Sequence, residues 1–253
     1  MGYDIQRAGF LKRIPAWLLD IILLVTLATG MIAGLAYVLD VDTYSENLNA
    51  IYAEYEEKYG IDFAQTEADF SVMTEEELAV YEAAAEELSK DTEVQKIYEM
   101  FMSLTLVTLS LGIFGAYLIL EFLIPLWLKN GQTLGKKVFG VALMRKDGVK
   151  VTPFMMFARA ILGKYTLETM IPVLLLVMAI FGFLGLEGIL IIGIILLLQL
   201  IITFATRNKT AIHDILACTV AVDLSSQMIF NSPEEQMEYH RQLFEENAAE
   251  ADQ

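Results

Sequence analysis

The chain has 253 residues but one cysteine and two histidines. Cys218 alone excludes an intramolecular disulfide. His213 and His240 lie too far apart in sequence for a close metal-ligand pair, so neither a metal nor a cofactor is expected. No nucleophile–base pattern supports an enzyme. Lys and Arg are scarce where acid is dense. Residues 40–98 hold Lys58, Lys90 and Lys96 against 17 Asp/Glu, and residues 223–253 hold Arg241 against 8. With a net charge of −16, nucleic-acid binding is not expected. Gly131 to Lys137 is no phosphate loop: the glycines are too close, and Lys137 stands where Ser or Thr is required.

What the chain has in plenty is apolar sequence, 56% of its residues. Four runs are long enough to cross a bilayer: Ile14–Leu39, Met100–Leu128, Tyr165–Gly185 and Leu186–Phe204. The first is too long for a signal h-region and carries Asp20, which predicts an uncleaved helix. The sequence therefore predicts an all-α polytopic membrane protein with four transmembrane helices.

Basic residues flank the runs in a pattern that sets orientation. Arg7, Lys12 and Arg13 place the N-terminus in the cytoplasm of a cell membrane, and Arg207 with Lys209 place the C-terminus there. The expected parts are residues 1–39 (N-terminus and helix one), 40–98 (an acidic helical outer domain) and 99–128 (helix two). A basic inner loop of 129–164 follows, then helices three and four within 165–206, turning near Gly185–Gly188. A His-Asp segment spans 207–222 and an acidic tail 223–253.

In the outer domain, Thr74 with Glu77 has the form of a capping box, and Leu78, Tyr81, Ala85 and Leu88 recur at helical spacing. The inner loop predicts a small sheet from residues 138–144, 149–152 and 218–222 around the turn Lys146-Asp147-Gly148. Phe154, Phe157 and Ile161 lie opposite Arg159 and Lys164 on an expected interfacial helix. Lys136, Lys137 and Arg159 are expected to face anionic headgroups. A terminal helix is expected from Ser232-Pro233, with Met237, His240, Leu243 and Phe244 on one face. Gly30 and Gly34 form a GxxxG pair, an indication of close helix packing.

Asp20 is the most informative residue. A charge in a spanning helix costs about 2.5–3.5 kcal/mol on insertion scales, so it needs a partner or a task. Arg13 lies seven residues earlier on the same helical face and is expected at the cytoplasmic interface. Glu121, on a face shared with Tyr117 and Ser110, is the second carboxylate in an apolar run. Asp214 and His213 follow the last run, with Thr210 a plausible N-cap.

These residues fall in a recognisable order. "RAGFLKRIPAWLLDIILL" carries Arg13 and Asp20, "GQTLGKKVFGVALMRKDGVKVTP" runs from Gly131 to Pro153 ahead of Arg159, and "RNKTAIHDILACTVAV" carries Asp214. Together they resemble the RDD family of membrane proteins, named for an arginine and two aspartates. Cys218 departs from the glycine usual there, so a local backbone difference is expected. The resemblance implies a bacterial-type plasma-membrane protein, and some members are linked to sodium–proton exchange.

Two functions remain open. In one, Asp20, Asp214, Glu121 and His213 form an ion or proton site for sodium, potassium or protons, with Arg13 as charge partner. In the other, the chain is a non-transporting adaptor whose acidic outer domain docks another protein, with homo-oligomers possible in either. Convergence of Arg13, Asp20 and Asp214 at the inner face is expected in both.

Overall fold

A computed structural model describes residues 5–65, 67–128, 131–182, 185–205 and 211–251. Lys129, Arg207, Lys209 and Thr210, which support part of the orientation and capping expectations, lie outside them. The described chain is mostly helical. Among the described residues, three helices are long and apolar enough to cross a membrane: Phe10–Val38, Thr92–Trp127 and Pro153–Ile180. The chain separates into two compact units, residues 30–112 and the remainder.

Unit 30–112 contains α2 (Val41–Tyr59), α3 (Glu67–Val72) and α4 (Glu75–Lys90), with parts of α1 (Phe10–Val38) and α5 (Thr92–Tyr117). The capping box is present: the Thr74 hydroxyl accepts from the Glu77 N–H, and Glu77 accepts from the Thr74 N–H at 2.8 Å. Tyr81 of the expected stripe packs edge-on against Phe63 and Phe70. Ala84, one position from the expected stripe, is the fully buried residue of α4. Within this chain no atom among the described residues stands within 4 Å of a Cβ built on Gly30 or Gly34, so the expected close packing is not made there. The close approach is made by Gly112, where a Cβ would meet Ile32 Cγ1 at 2.4 Å.

In the other unit the long helices change winding. After α5, residues Leu118–Leu123 form a π-helical segment (π1) that runs into α6 (Ile124–Trp127). The third candidate span joins α8 (Pro153–Phe157), a second π segment (π2, Ala158–Met170) and α9 (Ile171–Ile180). The interfacial helix expected before residue 165 is thus the first part of this span. Thr152 caps it by accepting from the Met155 N–H, and Pro153 occupies the first turn, where no donor is needed. α9 packs against α10 (Leu186–Ala205), so Leu186, Glu187 and Gly188 of the expected turn already belong to a helix.

The sheet differs from expectation in its pairing. β1 (Val141–Arg145) pairs antiparallel with β2 (Thr219–Asp223), Val141 opposite Asp223. Residues 149–152 form no strand and contribute only the bridges Met144–Lys150 and Val149–Phe230. β1 is buried on both faces. Val141 and Leu143 pack with Met156, Phe122 and Leu126, while Ala142 and Met144 pack with Val220, Val222, Ile5 and Ile229. Only a partner that is itself apolar on both faces fits, and β2 is. The outer edge of β2 is covered by the N-terminus, through an Arg7–Val222 bridge and the Ala8 N–H to Ala221 carbonyl bond of 3.3 Å. Lys12 donates to Asp223 at 2.7 Å, and this bond with those from Ser225 pulls the Asp223 carboxyl down to about 2.

The expected tail helix is α12 (Pro233–Ala251). Tyr239 and His240 pack with Phe230, whereas Met237 and Phe244 are exposed.

Candidate functional site

α7 (Leu134–Val138) is a short helix capped by Thr133, whose hydroxyl accepts from the Lys136 N–H at 3.4 Å. Asp20 on α1 meets this first turn. Its Oδ1 accepts from the Gly135 N–H at 2.8 Å, and its Oδ2 from the Thr133 hydroxyl at 2.5 Å. Lys136 Nζ stands 3.8 Å from Oδ2. The orphan donors of a helix start and an intramembrane carboxylate thus satisfy each other. Gly135 makes the approach possible, because a Cβ there would lie 2.2 Å from the Ala16 carbonyl oxygen.

Arg159 is 4% exposed. Its Nε donates to Asp214 Oδ1 at 2.8 Å, and its Nη1 lies 3.9 Å from Glu121 Oε2. It does not face lipid. Lys136, with a side chain 12% exposed, does not either, whereas Lys137 is exposed. Winding sets which charged residues join Arg159. Five α-helical residues turn about 500°, which would leave Arg159 and Lys164 about 140° apart. The i→i+5 winding of π2, seen in the Ile171 N–H bond to the Thr166 carbonyl, brings residues four and five apart to one side. Arg159, Lys164 and Glu168 therefore share a face.

On that face Lys164 Nζ donates to Glu121 Oε1 at 2.5 Å. The Oε2 of Glu121 is buried and has no hydrogen-bond partner among the described residues. Asp214 sits in α11 (Ile212–Leu216), 3% exposed, and also accepts from the Thr219 hydroxyl at 2.9 Å. Burial works against its charge, but Arg159, His213 and these bonds hold the carboxyl well below the usual range. Burial, with Lys164 and Arg159 close by, brings the Lys136 ammonium down to about 8 against the pull of Glu121 and Asp20.

His213 Nδ1 lies 2.9 and 2.8 Å from the two oxygens of Glu168, and Nε2 lies 3.6 Å from Asp214 Oδ2. π2 and α11 come this close because position 163 is glycine, where a Cβ would stand 2.6 Å from His213 Cβ. The cap of α11 is Ala211, which makes no side-chain cap bond. Asp20 and Asp214 thus belong to one chain of charges running through Lys136, Glu121, Lys164 and Arg159 to His213 and Glu168. The arginine bonded to Asp214 is Arg159. Arg13 is half-buried in the opening turns of α1.

The family model described as the RDD family matches residues 7–218. The chain belongs to the RDD family. No curated protein and no solved structure matches it. In this RDD protein, sequence reasoning found the aspartates but missed Glu168 and Thr133. Glu168 stands alone in an apolar run, the same signal that marks Asp20. Thr133 carried the ordinary mark of an N-cap, a threonine before a short helix.

Cys218 takes the left-handed conformation, φ 52, directly after α11. Its N–H donates to the Ile215 carbonyl at 3.1 Å. The backbone therefore keeps the form that favours glycine at this end of a helix, in place of the expected difference. Cys218→Gly is expected to raise stability by about 0.5–1 kcal/mol, since relief of left-handed strain outweighs added chain entropy. A melting curve in detergent checks this, and a lower midpoint would show that the cysteine side chain makes contacts worth more than the strain.

Proposed function

We propose that this RDD protein is a non-transporting membrane adaptor, with its motif carboxylates serving as internal anchors. One observation carries this: both oxygens of Asp20 are engaged by Gly135 and Thr133, and Oδ1 of Asp214 by Arg159 and Thr219, all donors of the protein itself. A carboxylate held by a buried guanidinium is poorly placed to exchange protons or bind a second cation. In this proposal α10 is a fourth span, both termini are cytoplasmic in a plasma membrane, and the acidic outer helices dock a basic protein partner. The contact of α9 with α10 and the clustering of Lys and Arg outside residues 40–98 support that topology.

Proton-linked exchange of sodium or potassium is the second reading. It is favoured by the buried Glu121 oxygen, which has no donor among the described residues. Proteoliposomes holding a pH dye separate the two. The adaptor predicts that sodium, potassium and lithium gradients move no more protons than in empty liposomes. Cation-driven flux that is lost in Asp20→Asn, with the protein still folded, would overturn it. Orientation is tested on intact cells with single cysteines at Ala83 and Lys146 in a Cys218→Ser background. Impermeant thiol label is expected at position 83 alone, and label at 146 alone would reverse the topology.

A further inference from the structure

His213 is held at three points by one side chain. Its backbone N–H donates to Glu168 Oε1 at 2.9 Å, and its Nδ1 lies within hydrogen-bond distance of both Glu168 oxygens. Glu168 belongs to the third candidate span, while His213 precedes the second motif aspartate. We propose that His213 and Glu168 form a proton-operated latch that fastens the Asp214 segment to this helix. The proposal rests on the reading of the charge cluster as an internal anchor.

The charged groups facing His213 are Glu168, Arg159 and Lys164 from the Pro153–Ile180 helix and Asp214 from its own. α10 also packs on α11, and its residues 195–205 carry no ionisable side chain. β2 contributes the Thr219 hydroxyl, bonded to Asp214. With His213 neutral, Nδ1–H donates to Glu168 and the latch is closed. Burial pushes the imidazole below its ordinary value of 6.5, Arg159 and Lys164 push the same way, and Asp214 and Glu168 oppose them. A histidine with a depressed folded-state value holds its segment fully above the unfolded value and loses hold as the pH falls. Below about 6.5 the opened segment binds a proton that the closed one does not, so opening rises up to about tenfold per pH unit.

The full chain in nanodiscs, carrying His240→Gln, leaves His213 as the single histidine for a magnetic-resonance titration. Its midpoint is expected below 6.5. Glu168→Gln, which keeps the shape but removes the carboxylate partner of the imidazolium, is expected to lower the midpoint by about one pH unit. A purely packing role for Glu168 would leave it in place. Amide exchange over residues 211–217, corrected for intrinsic chemistry, is expected to speed up on acidification from pH 7.5 to 5, and His213→Asn to abolish that response. A midpoint at or above 6.5, or exchange that is flat with pH in the wild type, would overturn the latch. Neither readout depends on ion flux. Flux with an intact pH response would overturn the anchor reading, whereas absent flux with flat exchange would overturn the latch alone.

Discussion

Replacing Arg159 by methionine is expected to destabilise the folded protein by about 3–5 kcal/mol. Methionine fills similar volume, so packing is largely kept. What it removes is the cation bonded to Asp214 and facing Glu121, both of which are buried. Breaking one side of a buried pair leaves the other charge in a low dielectric without its partner, which costs more than the pair contributes when intact. Arg159→Lys is expected to recover only part of the loss, because an ammonium is a point charge and cannot reach two carboxylates in the way a planar guanidinium does. Arg241→Met is the control. Its pairs with Glu238 and Glu245 lie on the exposed face of α12, so a change within about 0.5 kcal/mol is expected. Unfolding from mixed micelles by SDS titration measures all three, and an equal effect at positions 159 and 241 would remove the buried-pair argument.

Gly135→Ala should be nearly as damaging, by about 3 kcal/mol or more, although it adds one methyl group. The new Cβ would lie 2.2 Å from the Ala16 carbonyl oxygen and 2.8 Å from Asp20 Oδ1. The first of these is backbone and cannot rotate away. α1 must separate from α7, and the bonds from Gly135 and Thr133 to Asp20 go with it. Gly9→Ala is the comparison, since no atom stands within 4 Å of its Cβ. If the two alanines behave alike in the same unfolding assay, the close approach at Gly135 is not what holds Asp20.

Much of this was legible in the sequence because it is local. The spans near residues 10–38 and 92–127, the Thr74 cap and the tail helix follow from composition, spacing and capping residues. Asp20 and Asp214 stood out because carboxylates beside apolar runs are rare. The partners were harder. Thr133 is 113 residues from Asp20, and Arg159 is 55 from Asp214, so no short spacing records either contact. Arg159 was misplaced for a definite reason: the polar face opposite Phe154 and Phe157 was read as facing headgroups, whereas those phenylalanines are exposed and the polar face is buried against Asp214 and Glu121. The pairing of β1 with β2 was equally hidden, since the nearer run 149–152 has suitable residues but β1 needs a partner buried on both faces. Gly30 and Gly34 had the spacing of a packing motif, yet the close contact falls at Gly112, which no motif marks.

The second motif aspartate, Asp214, is bound by the protein's own Arg159. A double-mutant cycle of Arg159→Met and Asp214→Asn, read by SDS unfolding from mixed micelles, measures that bond. A coupling of about 2–3 kcal/mol is expected, with the double variant losing far less than the sum of the single ones. Losses that add to within about 0.5 kcal/mol would contradict it.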